Sequence, residues 1–314
     1  GLPKGMVVIS FMDPLGSPER ARVMADAGLS AFSMELIPRT TRAQRMDALS
    51  SQATVAGYKA VLMAADALPK LMPMFMTAAG TIRPAKALIL GAGVAGLQAI
   101  ATARRLGAKV EAFDVRPAVK EQIQSLGATF LETEADVTAE GEGGYAKELS
   151  EEQHKKELEL IAAHIKDADI VITTAQIPGK PAPLLITEEM VRSMRAGSVI
   201  VDLAAASGGN CALSEAGATV ERHGVTIMGP DNLPATIPVH ASQMYAKNAV
   251  TFLLEMVKEG QLVVDLDNDV VGPACLTHGG EVRNDRVRSA MGLPPLAPPK
   301  TEEPAPEPAD ASGE

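Results

Sequence analysis

Two hydrophobic patterns alternate along this chain. Short unbroken apolar runs are separated by segments in which apolar residues return every three or four positions. The first pattern predicts strands buried on both faces, the second helices with one buried face. "MVVISF" (6–11) is such a run, and "SAFSMEL" (30–36) is the next. Between them "SPERARVMADAG" (17–28) predicts a helix with Ser17 as N-cap, Pro18 at its first position and Gly28 closing it. "LSSQATVAGYKAVLMAADAL" (49–68) predicts one long helix. The segment joining these elements, "ELIPRTTRAQRMDALSSQ" (35–52), breaks both patterns: it is a polar, arginine-rich loop with few apolar anchors. It is either a solvated surface segment or one built to grip something.

A more complete alternation follows. "KALILG" (86–91), "KVEAFD" (109–114), "ATFLET" (128–133), "DIVITTA" (169–175) and "GSVIVDLAA" (197–205) predict strands. Residues 94–107, 116–127, 150–168 and 187–195 predict helices, the third opened by a Ser150-x-x-Gln153 capping box. Residues 134–149 have no period and predict a mobile loop. Residues 238–259 predict a last helix, and "QLVVDL" (261–266) with "DVVGPACL" (269–276) a hairpin. The Met-rich "LMPMFM" (71–76) reads as a buried core segment, with a subunit contact as the other reading. From Pro294 the chain becomes a Pro- and acid-rich tail that cannot bury enough surface to order itself. Strands alternating with helices imply a parallel, doubly wound sheet and an α/β fold.

Composition narrows the chemistry. With no Trp, three Tyr and six Phe, the cores must be built from Val, Ile, Leu, Ala and Met. A net charge of −10 without a basic stripe excludes nucleic acid as a partner. Cys211 and Cys275 are too few for a disulfide framework and fit a reducing compartment. The five histidines show no metal-ligand spacing. The start, "GLPKGMVVISF", has neither the pattern of a signal peptide nor an initiator Met, and enters almost directly on a strand. It reads as the start of a segment inside a larger gene product. No apolar stretch is long enough to cross a membrane as a helix.

The most specific chemistry lies at Gly91-Ala92-Gly93-Val94-Ala95-Gly96, between a strand and a helix. Gly91 would make the tight turn, Gly93 would let a pyrophosphate approach the main chain, and Gly96 would let the helix pack on the sheet. The N–H groups at the helix start, around Val94 and Ala95, would receive the phosphates. Asp114, followed by Val115, ends the next strand and would accept hydrogen bonds from the adenosine ribose. A carboxylate there repels a 2′-phosphate and favours NAD, whereas Arg116 would tolerate NADP. Thr174 and Ala175 leave the carboxyl end of another strand and would line the same crevice, with Lys180 either a phosphate contact or a solvated lysine. Tyr145 is either the aromatic tip of a lid over the nucleotide or an exposed loop residue. There is no His–carboxylate or Cys–His arrangement to serve as a general base. Hydride transfer between two nicotinamides needs none, because no substrate proton moves.

"PRTTRAQRMDALSSQATVAGY", "MTAAGTIRPAKALILGAGVAGLQAIATARRLGA", "GGYAKE", "ITTAQIPGKPAPLLITEEMV" and "GSVIVDLAAASGGNC" resemble the NAD(H)-binding component of proton-translocating NAD(P) transhydrogenases, from about residue 6 to about residue 280. Related alanine dehydrogenases share the fold and the glycine turn but not the Arg-Ala-Gln-x-Met-Asp loop. The resemblance implies two Rossmann-like doubly wound domains. The first is formed by 1–50 with 238–292 and is incomplete at its N-terminus; the second is 51–237, followed by the tail 293–314. It implies that Arg39, Asp47 and Ser50 contact the nicotinamide half of NAD(H), and that Gln44 reaches toward NADP on a partner. Tyr145 would ride on a mobile lid. It further implies a homodimer, cytoplasmic and peripheral on the inner face of the cell membrane. Its partners would be an NADP-binding component and a membrane proton-channel component. Where alanine dehydrogenases carry a functional Asp this chain has Ala206, which argues against amino-acid dehydrogenase chemistry. A reductive aminase of that kind and a non-catalytic NAD-sensing module are the alternatives.

Overall fold

The apolar runs between residues 86 and 205 end up inside one sheet with a core on each side. The computed structural model describes residues 1–132, 150–177 and 179–296. In chain order its elements are β1 (Val7–Ser10), α1 (Glu19–Asp26), β2 (Ser30–Ser33), α2 (Ala48–Ala67), β3 (Phe75–Thr77), β4 (Gly80–Ile82), β5 (Lys86–Leu90) and α3 (Val94–Arg105). Then come β6 (Lys109–Phe113), α4 (Lys120–Ser125), β7 (Thr129–Phe130), α5 (Glu151–Ile165), β8 (Ile170–Thr173), α6 (Glu188–Ser193), β9 (Val199–Asp202), β10 (Thr219–Arg222) and β11 (Val225–Met228). The last are α7 (Pro238–Glu255), β12 (Val257–Lys258), β13 (Gln261–Leu262), α8 (Val271–Ala274), β14 (Cys275–His278), β15 (Glu281–Val282) and α9 (Asp285–Ala290). They form two compact units, Ile37–Asp265 and Gly1–Leu36 with the described residues from Leu266.

The larger unit holds a seven-stranded sheet in the order β10-β11-β9-β8-β5-β6-β7. All neighbours pair in parallel except β10, which lies antiparallel on β11. From β5 the chain builds outward through β6 to β7, then returns to the other side of β5 for β8 and β9. The switch point therefore lies between β5 and β8. Side chains along each strand divide by parity. Ala87 and Ile89 of β5, Ile170 and Ile172 of β8, and Val199 and Val201 of β9 share one core with Ala60, Val61 and Ala64 of α2 and Ala99, Ile100 and Ala103 of α3. Leu88, Leu90, Val171 and Ile200 point the other way, to Ile161 and Ile165 of α5 and Met190 and Val191 of α6. Each buried Val, Leu or Ile contributes about 1.5–3 kcal/mol, and burial on both faces explains the unbroken apolar runs. The Ser150–Gln153 capping box is present in both directions.

Several features differ from the sequence reading. The turn at residues 38–47 and helix α7 group with the larger unit rather than with the first domain. They are tied to α2: Ser51 Oγ donates to Asn248 Oδ1 (2.7 Å), Asn248 Nδ2 donates to Arg45 O (2.8 Å), and Arg42 pairs with Glu255. The Met-rich segment is not core: Met72 is buried, but Met74, just ahead of the small β3–β4 hairpin, and Met76 within it are 56% and 77% exposed. Helix α7 stops at Glu255 because β12 and β13 fold back around Glu259 and Gly260, both at positive φ. The hairpin expected from 261–266 with 269–276 does not form. Instead Asn268 Oδ1 accepts from Val270 N (2.9 Å) and Val271 N (3.1 Å) ahead of α8, and β14 pairs with β2 and β15. Helix α1 starts at Glu19 after Pro18, with no side-chain cap from Ser17.

The smaller unit is a four-stranded sheet, β1-β2-β14-β15, with β1 and β2 parallel. Its core gathers Met12, Ala21, Ala25, Ala31, Leu36, Leu276, Val282 and Val287. Both cysteines are buried, one in each unit. Burial pushes the Cys211 thiol up to about 11 and the Cys275 thiol up to about 12. Both folded values lie above the ordinary thiol value of 9.0, so the unfolded chain ionises first. Each thiol therefore supports the fold below pH 9, and that support is lost as pH rises through 9 to 12. At pH 8 the native protein is expected to react with a chromogenic disulfide only at the rate of unfolding, and both thiols to react at once in denaturant. Immediate reaction of the native protein would refute this.

Candidate functional site

β5 delivers the chain to a turn whose three glycines meet different surroundings. Gly91 stands at φ +94°, and a Cβ there would lie 2.6 Å from Thr174 Oγ1. A Cβ on Gly96 would lie 1.9 Å from the Gly91 carbonyl oxygen, because α3 leaves the strand at close quarters. Gly93, the N-cap of α3, has nothing within 4 Å of its Cβ position. That open space faces the unpaired N–H groups of a helix start, with Val94 exposed and Ala95 half-buried beside it. The turn thus fits a diphosphate: it is tight where the protein packs on itself and open where a ligand would come close.

Asp114 follows β6 and is buried. Its Oδ2 accepts from Ala92 N in the glycine turn (2.7 Å) and from Arg116 Nη2 (2.7 Å). Its Oδ1 accepts from Arg116 N (2.9 Å) and Nε (2.8 Å). The four acceptor positions of the carboxylate are therefore taken. A ribose diol reaches Asp114 only when the guanidinium fork opens. With Arg116 in place the carboxylate is also neutralised, so its repulsion of a 2′-phosphate is weaker than the sequence alone implies. Val115 between them is half-buried. On α5, Glu157 is buried with its Oε2 2.9 Å from His154 Nδ1. Burial pushes its carboxyl up, the hydrogen bond and charge of His154 pull it back, and the Asp114 charge adds to the rise.

The polar loop folds as a short 3-10 turn, Arg42–Met46, with Ala43 and Met46 buried beneath it. Arg39, Gln44, Asp47 and Ser50 line a single cleft of about 440 Å³ together with Pro38, Thr40 and Thr41. Asp47 is the N-cap of α2: it accepts from Ser50 N (2.8 Å) and from Ser50 Oγ (2.5 Å). Arg39 and Gln44 are exposed on the cleft rim. Helices α2 and α3 cross where Gly57 meets the Ala95 carbonyl oxygen. Asp47 lies ten residues, about 15 Å, along α2 from that crossing. The cleft and the glycine turn are thus carried on one packed pair of helices.

Thr174 and Ala175 leave β8 beside Gly91, with Thr174 Oγ1 donating to Gly91 O (3.1 Å). Ala175 is held by Asn210, a residue the sequence reading did not single out; nothing in its local pattern distinguishes it. Tyr145 lies outside the described residues. Lys180 is exposed.

Two family models match the chain, the alanine dehydrogenase/PNT N-terminal domain over residues 1–56 and the C-terminal domain over residues 60–285. The chain belongs to the alanine dehydrogenase/PNT family. Within it, the chain is 49% identical over 285 residues to the first portion of the NAD(P) transhydrogenase subunit alpha of Rhodospirillum rubrum, covering 90% of this chain and 74% of that protein. Identity to NAD(P) transhydrogenase subunit alpha of Haemophilus influenzae is 45%, covering 89% of this chain and 55% of that longer subunit. These identities set the chain among the transhydrogenase alpha subunits of the family. A solved transhydrogenase from Sinorhizobium meliloti superposes with a TM-score of 0.79 at 52% identity, over 89% of this chain and 76% of that one. An L-alanine dehydrogenase structure superposes at 0.75 with 22% identity, over 93% of this chain and 76% of that one, a likeness of fold. Among the described residues no helix is long and apolar enough to cross a membrane.

Proposed function

We propose that this chain is the NAD(H)-binding component of a proton-translocating NAD(P) transhydrogenase. NADH lies across the glycine turn, and its nicotinamide faces the cleft of Arg39, Gln44, Asp47 and Ser50. When bound, NADH supplies a hydride that passes to NADP+ on a separate NADP-binding component, leaving NAD+ and NADPH. A membrane component couples the transfer to proton movement. The observation that carries this reading is the cleft itself: four polar residues of one loop converge, and its carboxylate is engaged in a helix cap rather than poised as a base. Hydride transfer between two nicotinamides asks only for position. Gly93 and the start of α3 hold the diphosphate, Asp114 holds the adenosine ribose once Arg116 withdraws, and Arg39 and Gln44 meet what approaches from outside.

In this reading the chain works as a homodimer in the cytoplasm, peripheral on the inner face of the cell membrane through its partners. The exposed Met74, Phe75, Met76 and Ile82 at the β3–β4 hairpin support a contact between copies, since apolar residues so displayed are costly in water. Ala206, exposed and without a titratable group, speaks against the reductive aminase.

The test is hydride transfer from NADH to an NADP analogue, with and without an added NADP-binding component, beside a well containing pyruvate and ammonium. Transfer is expected only with the partner. In Gln44→Asn, one methylene shorter, the rate is expected to fall about tenfold or more while NADH affinity stays nearly unchanged. Turnover with pyruvate and ammonium alone would overturn the proposal in favour of the dehydrogenase. NADH binding with no transfer in any mixture would leave a sensing module.

A further inference from the structure

Asp202 closes β9 at the carboxyl edge of the sheet and is fully buried. Its Oδ1 accepts from Thr173 Oγ1 (2.9 Å) and Ala204 N (2.9 Å). Its Oδ2 accepts from Asn210 N (2.8 Å), Cys211 N (3.1 Å) and Ser214 Oγ (2.6 Å). None of these five donors is a cation. A buried carboxylate is expensive, and this one is compensated entirely by neutral donors that close the loop 203–214 back onto the strand.

The residue so delivered is Asn210, itself fully buried. Its Oδ1 accepts from Ala175 N (3.1 Å), and its Nδ2 donates to Ala175 O (3.0 Å) and Pro183 O (2.7 Å). Both main-chain polar groups of Ala175 are thus held by one side chain. Ala175 N is in turn 3.2 Å from the point where a Cβ on Gly91 would stand. Any buried carboxamide must be paired; what matters here is the partner, since two of its three hydrogen bonds go to one residue. This carboxamide fixes the main chain that borders the glycine turn on the β8 side.

Side matters, because the switch point divides the two halves of a bound dinucleotide. Asp114, at the end of β6, serves the adenosine half. The 174–183 segment, at the end of β8, borders the other half. We propose that Asn210, oriented by Asp202, is a positioning residue that sets Ala175 for the nicotinamide half of the dinucleotide. The proposal rests on the reading that NADH binds at the glycine turn. It makes a specific demand: removing the carboxamide must weaken ligands with a nicotinamide half and spare those without one.

The experiment titrates the full chain with NADH and with ADP, for wild type, Asn210→Ala and Asn210→Ser, with circular dichroism to verify folding. Asn210→Ala is expected to weaken NADH about tenfold or more, for the loss of two to three hydrogen bonds at the loop. ADP affinity should stay within about twofold, since the adenosine contacts are untouched. Asn210→Ser, which keeps one donor and one acceptor, should fall between. Equal losses for both ligands, or no loss for NADH, would overturn the proposal. Wild type that binds neither ligand would instead overturn the function it rests on. Should both variants fail to fold, amide exchange in the wild type decides. Ala175 N–H is expected to exchange as slowly as the strand amides of β8, and fast exchange would show that Asn210 does not hold it.

Discussion

Gly96→Ala is expected to abolish useful NADH binding. The added methyl would lie 1.9 Å from the Gly91 carbonyl oxygen, far inside the closest approach of atoms that are not bonded. That oxygen belongs to the main chain and has no rotamer to escape into. Either α3 moves off β5 or the turn itself opens. Movement of α3 takes the helix-start N–H groups away from the ligand phosphates. Losing two charge-assisted hydrogen bonds at about 1.5 kcal/mol each lowers affinity by about a hundredfold. Overpacking adds about 1–3 kcal/mol of lost stability. Fluorescence titration with NADH beside a thermal melt would measure both. Affinity within about threefold of wild type would mean that the turn is not where the diphosphate lies.

The second large effect is expected at Gly57, in the middle of α2. Propensity alone says that alanine there should stabilise by about 1 kcal/mol. Geometry says the opposite, since the methyl would sit 2.0 Å from the Ala95 carbonyl oxygen at the α2–α3 crossing. Because the contact is main chain against main chain, the whole helix must shift. The clash is therefore expected to win, with a net loss of about 2 kcal/mol. For a unit of this size that lowers the melting midpoint by about 4–8 °C. NADH affinity should fall with it, because α2 carries the 38–50 cleft. A midpoint equal to or above that of wild type would show that the helices separate at no cost.

The elements that were legible in the sequence are those whose signal is local. β5, β8 and β9 are covered on both faces, so nearly every residue in the run is apolar and the strand announces itself. The glycine turn and Asp114 sit in adjacent elements at fixed spacing. Arg39, Gln44, Asp47 and Ser50 are near neighbours in the chain, and one 3-10 turn suffices to bring them to one cleft. The roles proposed for them rest on resemblance; the residues alone leave a solvated loop equally open. The β3–β4 hairpin was hidden because Met and Phe carry no mark of the direction they face. The edge pair β10 and β11 was hidden because pairing depends on β9, distant in sequence. The hairpin expected after α7 does not form for a related reason: apolar content alone points to strand, whereas Asn268 capping and pairing with β2 take those residues elsewhere. Asn210 is the extreme case. Its meaning comes from three separate segments meeting at one carboxamide, and no window of sequence contains them.

The two ends of the seven-stranded sheet bear on how this protein behaves at high concentration. At one end, among the described residues, β7 offers only Thr129 and Phe130 as rungs. At the other, β10 ends in Glu221 and Arg222, both exposed, with Arg222 paired to Glu215 at 2.8 Å. A ribbon that grows chain upon chain needs a long, flat, uncharged margin to template the next strand. One margin here is too short to template and the other is charged. Among the described residues, neither end of this seven-stranded sheet therefore offers a long uncharged margin on which crowded molecules could start a fibre.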